Sequence, residues 1–358
     1  MIQVEENLRA QREELFQSLQ RSFAVAEACA GACLWDGQIA DRRICLRAAG
    51  SDLLNRIVPA MQHLTAEASE PDLTVCAWDS RSSRTPLPLV LQGFFQLVAS
   101  HHWEWLDSRH ELRGFNDERF RCVYRLGPTN ILSFWDRQTA TGLYWMEDAA
   151  ALPYWELGSP LQTLLNWWAS DQGLQYVHAA AVGNANGALL LTGPGGSGKS
   201  TTALTCLEAG LGYLGDDYCL VSDREVFSLY ATAKLVGEAD FQRFPELRGW
   251  IENCERAAGH KALLNLALHR RERLVLRAPL RAVVVLKLCG GLDSRVRQVK
   301  GAEALLALAP TTVFQLPGTE QLGMSRMTRV LRSTPCFVLE LGSDIRQIPG
   351  LLEPLLAP

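Results

Sequence analysis

Residues 188–202 read Ala-Leu-Leu-Leu-Thr-Gly-Pro-Gly-Gly-Ser-Gly-Lys-Ser-Thr-Thr. The run Ala188–Thr192 is apolar and strand-like, and Thr201–Leu207 has the composition of a helix. Between them, Gly193–Ser200 fits the pattern G-x-x-x-x-G-K-[ST], the Walker A loop. Each residue type in that order has a chemical reason. Gly193, Gly195, Gly196 and Gly198 let the backbone turn so that its N–H groups, with that of Ser197, converge on an anion. The helix that follows adds the positive end of its dipole. Lys199 can reach the β- and γ-phosphate oxygens, the Ser200 hydroxyl can ligate Mg2+, and Thr201 can donate to the α-phosphate. ATP and Mg2+ are therefore the expected cofactors. A chance match is the plainer reading, and the strand before and helix after the loop argue against it.

Working outward, Gly215-Asp216-Asp217 lies only 17 and 18 positions beyond Lys199. Tyr213–Ser222 reads as one strand with the acid pair near its start. Phosphoryl transfer calls for one carboxylate at the metal and another to take the acceptor proton. A surface Asp-Asp turn is the bland alternative. Upstream, Tyr176–Val182 reads as a strand carrying His178, which as an isolated residue is as readily a core histidine as a functional one.

Taken together, Val177–Val182, the glycine loop and the acid pair resemble the catalytic core of HPr kinase/phosphorylase and its kinase relatives. That family shares its nucleotide-binding fold with the ATP-dependent phosphoenolpyruvate carboxykinases. The resemblance is strong over about 50 residues and loose over about 200. It implies an α/β P-loop domain over 159–358, with Asp216 as catalytic base, Asp217 with Ser200 at the metal, and His178 aligning the acceptor. Lys199 would hold the phosphates. The phosphorylase signature downstream is absent, so neither HPr as substrate nor phosphorolysis is expected. The branch resembled includes serine kinases of lasso-peptide precursors, which implies a kinase acting on a Ser hydroxyl of a peptide or protein. A kinase of free serine and a non-catalytic nucleotide-binding regulator are the alternatives. A carboxykinase-type lyase would need an oxaloacetate-binding Arg and a second metal site, and neither is identifiable.

Residues 1–158 lie outside the resemblance. Residues 5–27 read as an amphipathic helix, with Leu15, Phe16, Leu19, Phe23 and Ala26 near one face. Ile44–Leu46 and Leu73–Trp78 read as strands, and Thr85-Pro86-Leu87-Pro88 as a break. Runs in 119–146 alternate between the turn signals Gly127-Pro128 and Thr141-Gly142, predicting a small antiparallel sheet. This α+β domain is expected to serve substrate recognition or homo-oligomerisation.

Composition bounds the rest. A hydrophobic share of 47% with 21% charged residues supports a sizeable core and excludes wholesale disorder. The net charge of −4 points to neither nucleic acid nor an anionic membrane as partner. The charged N-terminus is no secretory signal, so a cytoplasmic location with reduced thiols is expected. Weaker signals are Tyr230 and Lys234, spaced to share a helix face, with Lys234 or Lys261 available to counter phosphate charge. The arginine-rich stretch from Arg270 to Lys300 reads best as a charged exposed face. His101, His102 and His110 lack zinc-ligand spacing.

Overall fold

The structure is a computed structural model and describes residues 2–257, 259–313 and 316–357. It divides into two units, both mixing helices and sheet. The first takes the chain up to Val58, then Thr65–Leu157 and Leu161–Asp171. The second takes Pro59–Leu64, Gly158–Pro160 and the chain from Gln172 onward. Relative to a division after residue 158, Pro59–Leu64 and Gly158 lie with the second unit and Leu161–Asp171 with the first.

In the first unit, a long helix over Ile2–Ala30 precedes β1 (Ala32–Ile39) and β2 (Arg42–Ala49), which form an antiparallel hairpin. The hairpin turns through Ala40 and Asp41 at φ 50 and 63, the left-handed pair that a two-residue loop demands. β3 (Leu73–Asp79) pairs in parallel with β2 and with β6. β4 (Phe120–Arg125), β5 (Ile131–Asp136) and β6 (Thr141–Met146) form the expected antiparallel meander. The six strands run β1-β2-β3-β6-β5-β4. Leu15, Phe16, Leu19, Phe23 and Ala26 bury one stripe of the long helix against the sheet. Phe16 meets Phe120 and Phe134 at ring-centroid distances of 5.5 and 5.2 Å. A helix over Leu89–Ser100 follows Pro88, where only a break was expected.

The second unit is built on β7 (Gln175–Val177), β8 (Ala180–Asn184), β9 (Gly187–Thr192), β10 (Gly212–Gly215), β11 (Cys219–Val221) and β12 (Glu225–Phe227). β13 (Thr232–Leu235) and β14 (Ala262–Asn265) form a separate pair. β15 (Arg277–Leu288), β16 (Arg295–Val299) and β17 (Cys336–Leu341) complete the main sheet. β9 and β17 flank β15 in parallel, and β8 and β10 extend the sheet antiparallel on the β9 side. Leu189 and Leu191 share one apolar layer with Ala203, Leu204 and Leu207 of the helix Lys199–Glu208. Ala188 and Leu190 share the other with Ala304 and Leu308 of the helix Gly301–Thr312 and with Met327 and Leu331 of the helix Glu320–Ser333. A strand covered on both faces must be apolar at every position, which is why Ala188–Leu191 shows no alternation.

Three expectations need correction. Tyr176–Val182 and Tyr213–Ser222 are not single strands. Each is cut in two, at His178-Ala179 and at Asp216–Tyr218, because each break closes a three-residue turn. Ser228–Leu235 is not helical: Thr232–Leu235 extends as β13, satisfying its backbone on β14. Tyr230 and Lys234 therefore do not share a helix face.

Candidate active site

β9 ends at Thr192 and the chain enters the glycine loop. Gly193, Gly196 and Gly198 take φ of 154, 78 and 94, a conformation only glycine adopts without strain. A Cβ on Gly195 or Gly196 would meet nothing within 4 Å, so those positions face open space. A Cβ on Gly193 would press on Ser197 Oγ at 2.6 Å and Leu286 O at 3.0 Å. The helix Lys199–Glu208 starts with Gly198 as its cap residue and no side-chain cap. Its first N–H groups are thus left for an anion. The Lys199 ammonium is folded back, donating to Gly193 O at 2.8 Å and Pro194 O at 3.3 Å. Burial pulls its pKa below the usual lysine range.

The acid pair sits where the two broken strands run side by side. β7 pairs β11 with Val177 opposite Cys219, and β8 pairs β10 with Ala181 opposite Gly215. The register is the same on both sides of the gap, so the breaks at 178–179 and 216–218 face each other. Ala179 N–H closes one turn on Val177 O at 3.1 Å, and Tyr218 N–H closes the other on Asp216 O at 2.8 Å. The second turn holds Asp217 at φ 65, a strained position for a residue with a side chain. His178 stacks on Tyr218 at 5.1 Å between ring centroids.

The two carboxylates have different surroundings. Asp216 is 2% exposed. Lys234 N–H donates a long hydrogen bond, 3.4 Å, to its Oδ2, Ser200 is a neighbour, and the Asp216 Oδ1 has no partner. Desolvation, helped by the Asp217 charge, raises its pKa above the usual carboxylate value. Asp217 forms an ion pair with Lys234 and lies 3.9 Å from His178 Nε2. Those neighbours outweigh desolvation and hold its carboxyl far below the usual range.

Asp217, His178, Lys199, Ser200, Thr201 and Lys234 open onto one cavity of 320 Å³. Arg243, Lys261 and Asp240 line it further out, and Leu341, Ile345 and Ile348 give it an apolar wall. Thr201 Oγ1 lies 3.4 Å from Asp240 Oδ1, and Asp240 also accepts from Val236 N–H at 3.0 Å. Of the residues expected from sequence, His178, Gly195, Gly196, Gly198–Thr201 and Asp217 line the cavity; Gly193, Ser197 and Asp216 do not, and the Ser197 N–H, expected to face an anion, donates instead to Pro194 O at 3.1 Å. Asp240 and Arg243 carried no sequence signal, since both sit on a short helix, Glu238–Arg243, that matches no motif. The basic stretch is engaged locally: Lys287 and Arg297 pair with Glu303, and Arg281 donates to Asn186 O. Among the described residues no histidine, cysteine or acid cluster could hold a metal by itself. No helix among them is long and apolar enough to cross a membrane.

No family model and no curated protein matches the chain. Among solved structures, the HPr(Ser) kinase/phosphatase from Coxiella burnetii matches at 13% identity. The match covers 51% of this chain and 93% of that one, with a TM-score of 0.27.

The loop meets the demands of a nucleotide triphosphate on its own geometry. It offers helix N–H groups with no side-chain cap, glycines that leave the cradle open, and a buried lysine that donates to loop carbonyls. For a divalent ion, the Ser200 hydroxyl and the unpartnered Asp216 Oδ1 are fitting oxygen donors.

Proposed function

We propose that the chain is an ATP- and Mg2+-dependent kinase that passes the γ-phosphoryl group to a serine-type hydroxyl of a peptide or protein. The observation that carries the reading is a single cavity bringing the buried loop lysine to Asp217, His178 and Lys234. In this reading the loop amides and Lys199 hold the phosphates. Mg2+ supplies charge neutralisation at those phosphates, and Ser200 with Asp216 are the residues that would hold it. Asp217 takes the acceptor proton as the new P–O bond forms and the bond to the β-phosphate oxygen breaks. His178 orients Asp217 and the incoming hydroxyl.

The roles of the two acids are exchanged relative to the expectation from sequence. What supports the exchange is that Asp217 lines the cavity, whereas Asp216 is buried beside Ser200 and does not line it. A proton acceptor must first be within reach of the hydroxyl. The low proton affinity of Asp217 is compatible with a loose phosphoryl-transfer transition state, in which positioning and charge stabilisation do most of the work. In the same reading the first unit recognises the acceptor or joins copies of the chain. Its own core and a 240 Å³ cavity walled by Phe95, Tyr124 and Trp145 support that role.

The test is transfer of label from γ-radiolabelled ATP to a panel of Ser-containing peptides, their Ala counterparts and free L-serine. Label on a Ser peptide and not on its Ala counterpart is the expected result. Label on free serine alone would move the acceptor to a small molecule. Nucleotide binding without transfer to any hydroxyl would overturn the kinase reading.

A further inference from the structure

Lys234 is the third residue of β13, and its side chain is only 5% exposed. An ammonium that far from water is costly unless its charge is met. It is met by Asp217 in an ion pair, with Ser159 Oγ at 3.4 Å as a second partner. The surroundings are shaped to this side chain. A Cβ on Gly158 would fall 2.7 Å from Lys234 Cε and 2.8 Å from Leu263 Cδ1, so a side chain there would displace the lysine stem or the leucine. The short segment Gly158–Pro160 is in turn fastened to the stretch that carries Lys234. Thr232 Oγ1 donates to Gly158 O at 2.6 Å, and Tyr230 OH donates to Pro160 O at 2.7 Å. Tyr230 OH also lies 2.9 Å from Tyr176 OH. A lysine that merely balanced charge at a surface would need none of this.

The lysine has a consequence for metal. Asp217 is the acid that the cavity exposes, and a second divalent ion in a phosphoryl-transfer site would seek such a carboxylate. Lys234 already occupies that contact. A divalent ion arriving at Asp217 would have to displace an ammonium held on several sides, or tolerate it at contact distance in a poorly solvated pocket. Like charges at contact in such a pocket repel strongly. Asp216 has no such cation in contact with its unpartnered Oδ1.

We propose that Lys234 is a built-in monovalent cation that closes Asp217 to metal, so that the chain takes one divalent ion, at Ser200 and Asp216, and not two. The inference rests on the kinase reading and specifies it: Lys234 acts as a positioning residue for Asp217 and as a fixed substitute for a second metal.

The test counts Mn2+ bound per chain by electron paramagnetic resonance on the full-length protein, with a non-hydrolysable ATP analogue at saturation. Wild type and Lys234→Arg are expected to bind one Mn2+. Lys234→Gln, which frees Asp217, is expected to bind a second at least tenfold more tightly than wild type does. Two Mn2+ on wild type with nucleotide bound would overturn this inference and leave the kinase reading standing. So would an unchanged count of one in a folded Lys234→Gln variant. Should that variant fail to fold, the wild-type and Lys234→Arg counts still decide, since two ions on either contradict the proposal. Absence of nucleotide binding in wild type would overturn both.

Discussion

The glycine loop after β9 and the Asp216–Tyr218 turn after β10 leave strands that run in the same direction in one sheet, and both use left-handed backbone. They use it in opposite ways. At Gly196 and Gly198 the left-handed residues have no side chain, so the backbone itself becomes the binding surface. At Asp217 the residue keeps its side chain at a strained positive φ, and its carboxylate lines the cavity. In the proposed function, one loop offers N–H groups to an anion, and the other offers charge to a proton. Each needs the other: amides alone hold phosphate without moving it, and acids alone repel it.

The comparison can be broken at the second turn first. Asp217→Asn keeps the shape and removes the proton acceptor, so phosphoryl transfer should fall about 10³-fold, within the usual span for a lost general base. The nucleotide Kd should stay within about threefold, read by calorimetry beside a radiolabel assay. Asp216→Asn should instead raise the Mg2+ concentration for half-maximal activity by about tenfold or more, as expected for a lost metal ligand. If the large loss of transfer belongs to Asp216→Asn and Asp217→Asn stays active, the order of roles expected from sequence is the right one.

Smaller effects separate backbone from charge. Gly198→Ala forces a left-handed φ on a residue whose Cβ would sit 3.0 Å from Leu341 Cδ1. It should cost about 1–2 kcal/mol in urea unfolding. Asp217→Gly and Asp217→Ala both remove the carboxylate, and only glycine relieves the turn. The Gly variant should be the more stable by about 1 kcal/mol; equal stabilities would show that the turn is not strained.

A buried base elsewhere in the second unit calibrates the electrostatics. His63 Nε2 lies 2.7 Å from Ser228 Oγ, its Nδ1 has no partner, and burial pushes its pKa down to about 3. The folded state therefore binds fewer protons than the unfolded one between that value and the ordinary histidine value near 6.5. Stability is fully present above about pH 6.5 and falls as the pH drops below it, by about 1 kcal/mol per pH unit from this group. Urea unfolding of wild type against His63→Leu between pH 7 and 5 reads the slope, which the variant should lack.

How much of this was legible follows from how local each signal is. The glycine loop is written in eight consecutive residues, and its strand and helix flanks carry their own patterns, so Gly193–Thr201 could be read directly. The double break was not. Tyr176–Val182 and Tyr213–Ser222 are apolar on either side of the interruption and contain no proline there, while three-residue turns have no residue signature as sharp as a glycine pair. The hairpin at Ala40-Asp41 went unread for the same reason: its left-handed positions carry neither Gly nor Asn. Pro88 breaks the chain before it, yet it stands at the N-cap of the helix Leu89–Ser100, so the same residue that ends one segment starts the next. Lys234 was misplaced because a four-residue strand is too short to show a period. Its role depends on Gly158 and Ser159, some 75 positions away.

The central claim is that a nucleotide triphosphate lies in the Gly193–Ser200 loop. Calorimetric titration of full-length protein with Mg-ATP, wild type against Lys199→Ala, tests it most directly. The account predicts one nucleotide per wild-type chain and at least about 10²-fold weaker binding by the variant, about 2.7 kcal/mol. Equal affinity of the two proteins, or no binding by wild type, would contradict it.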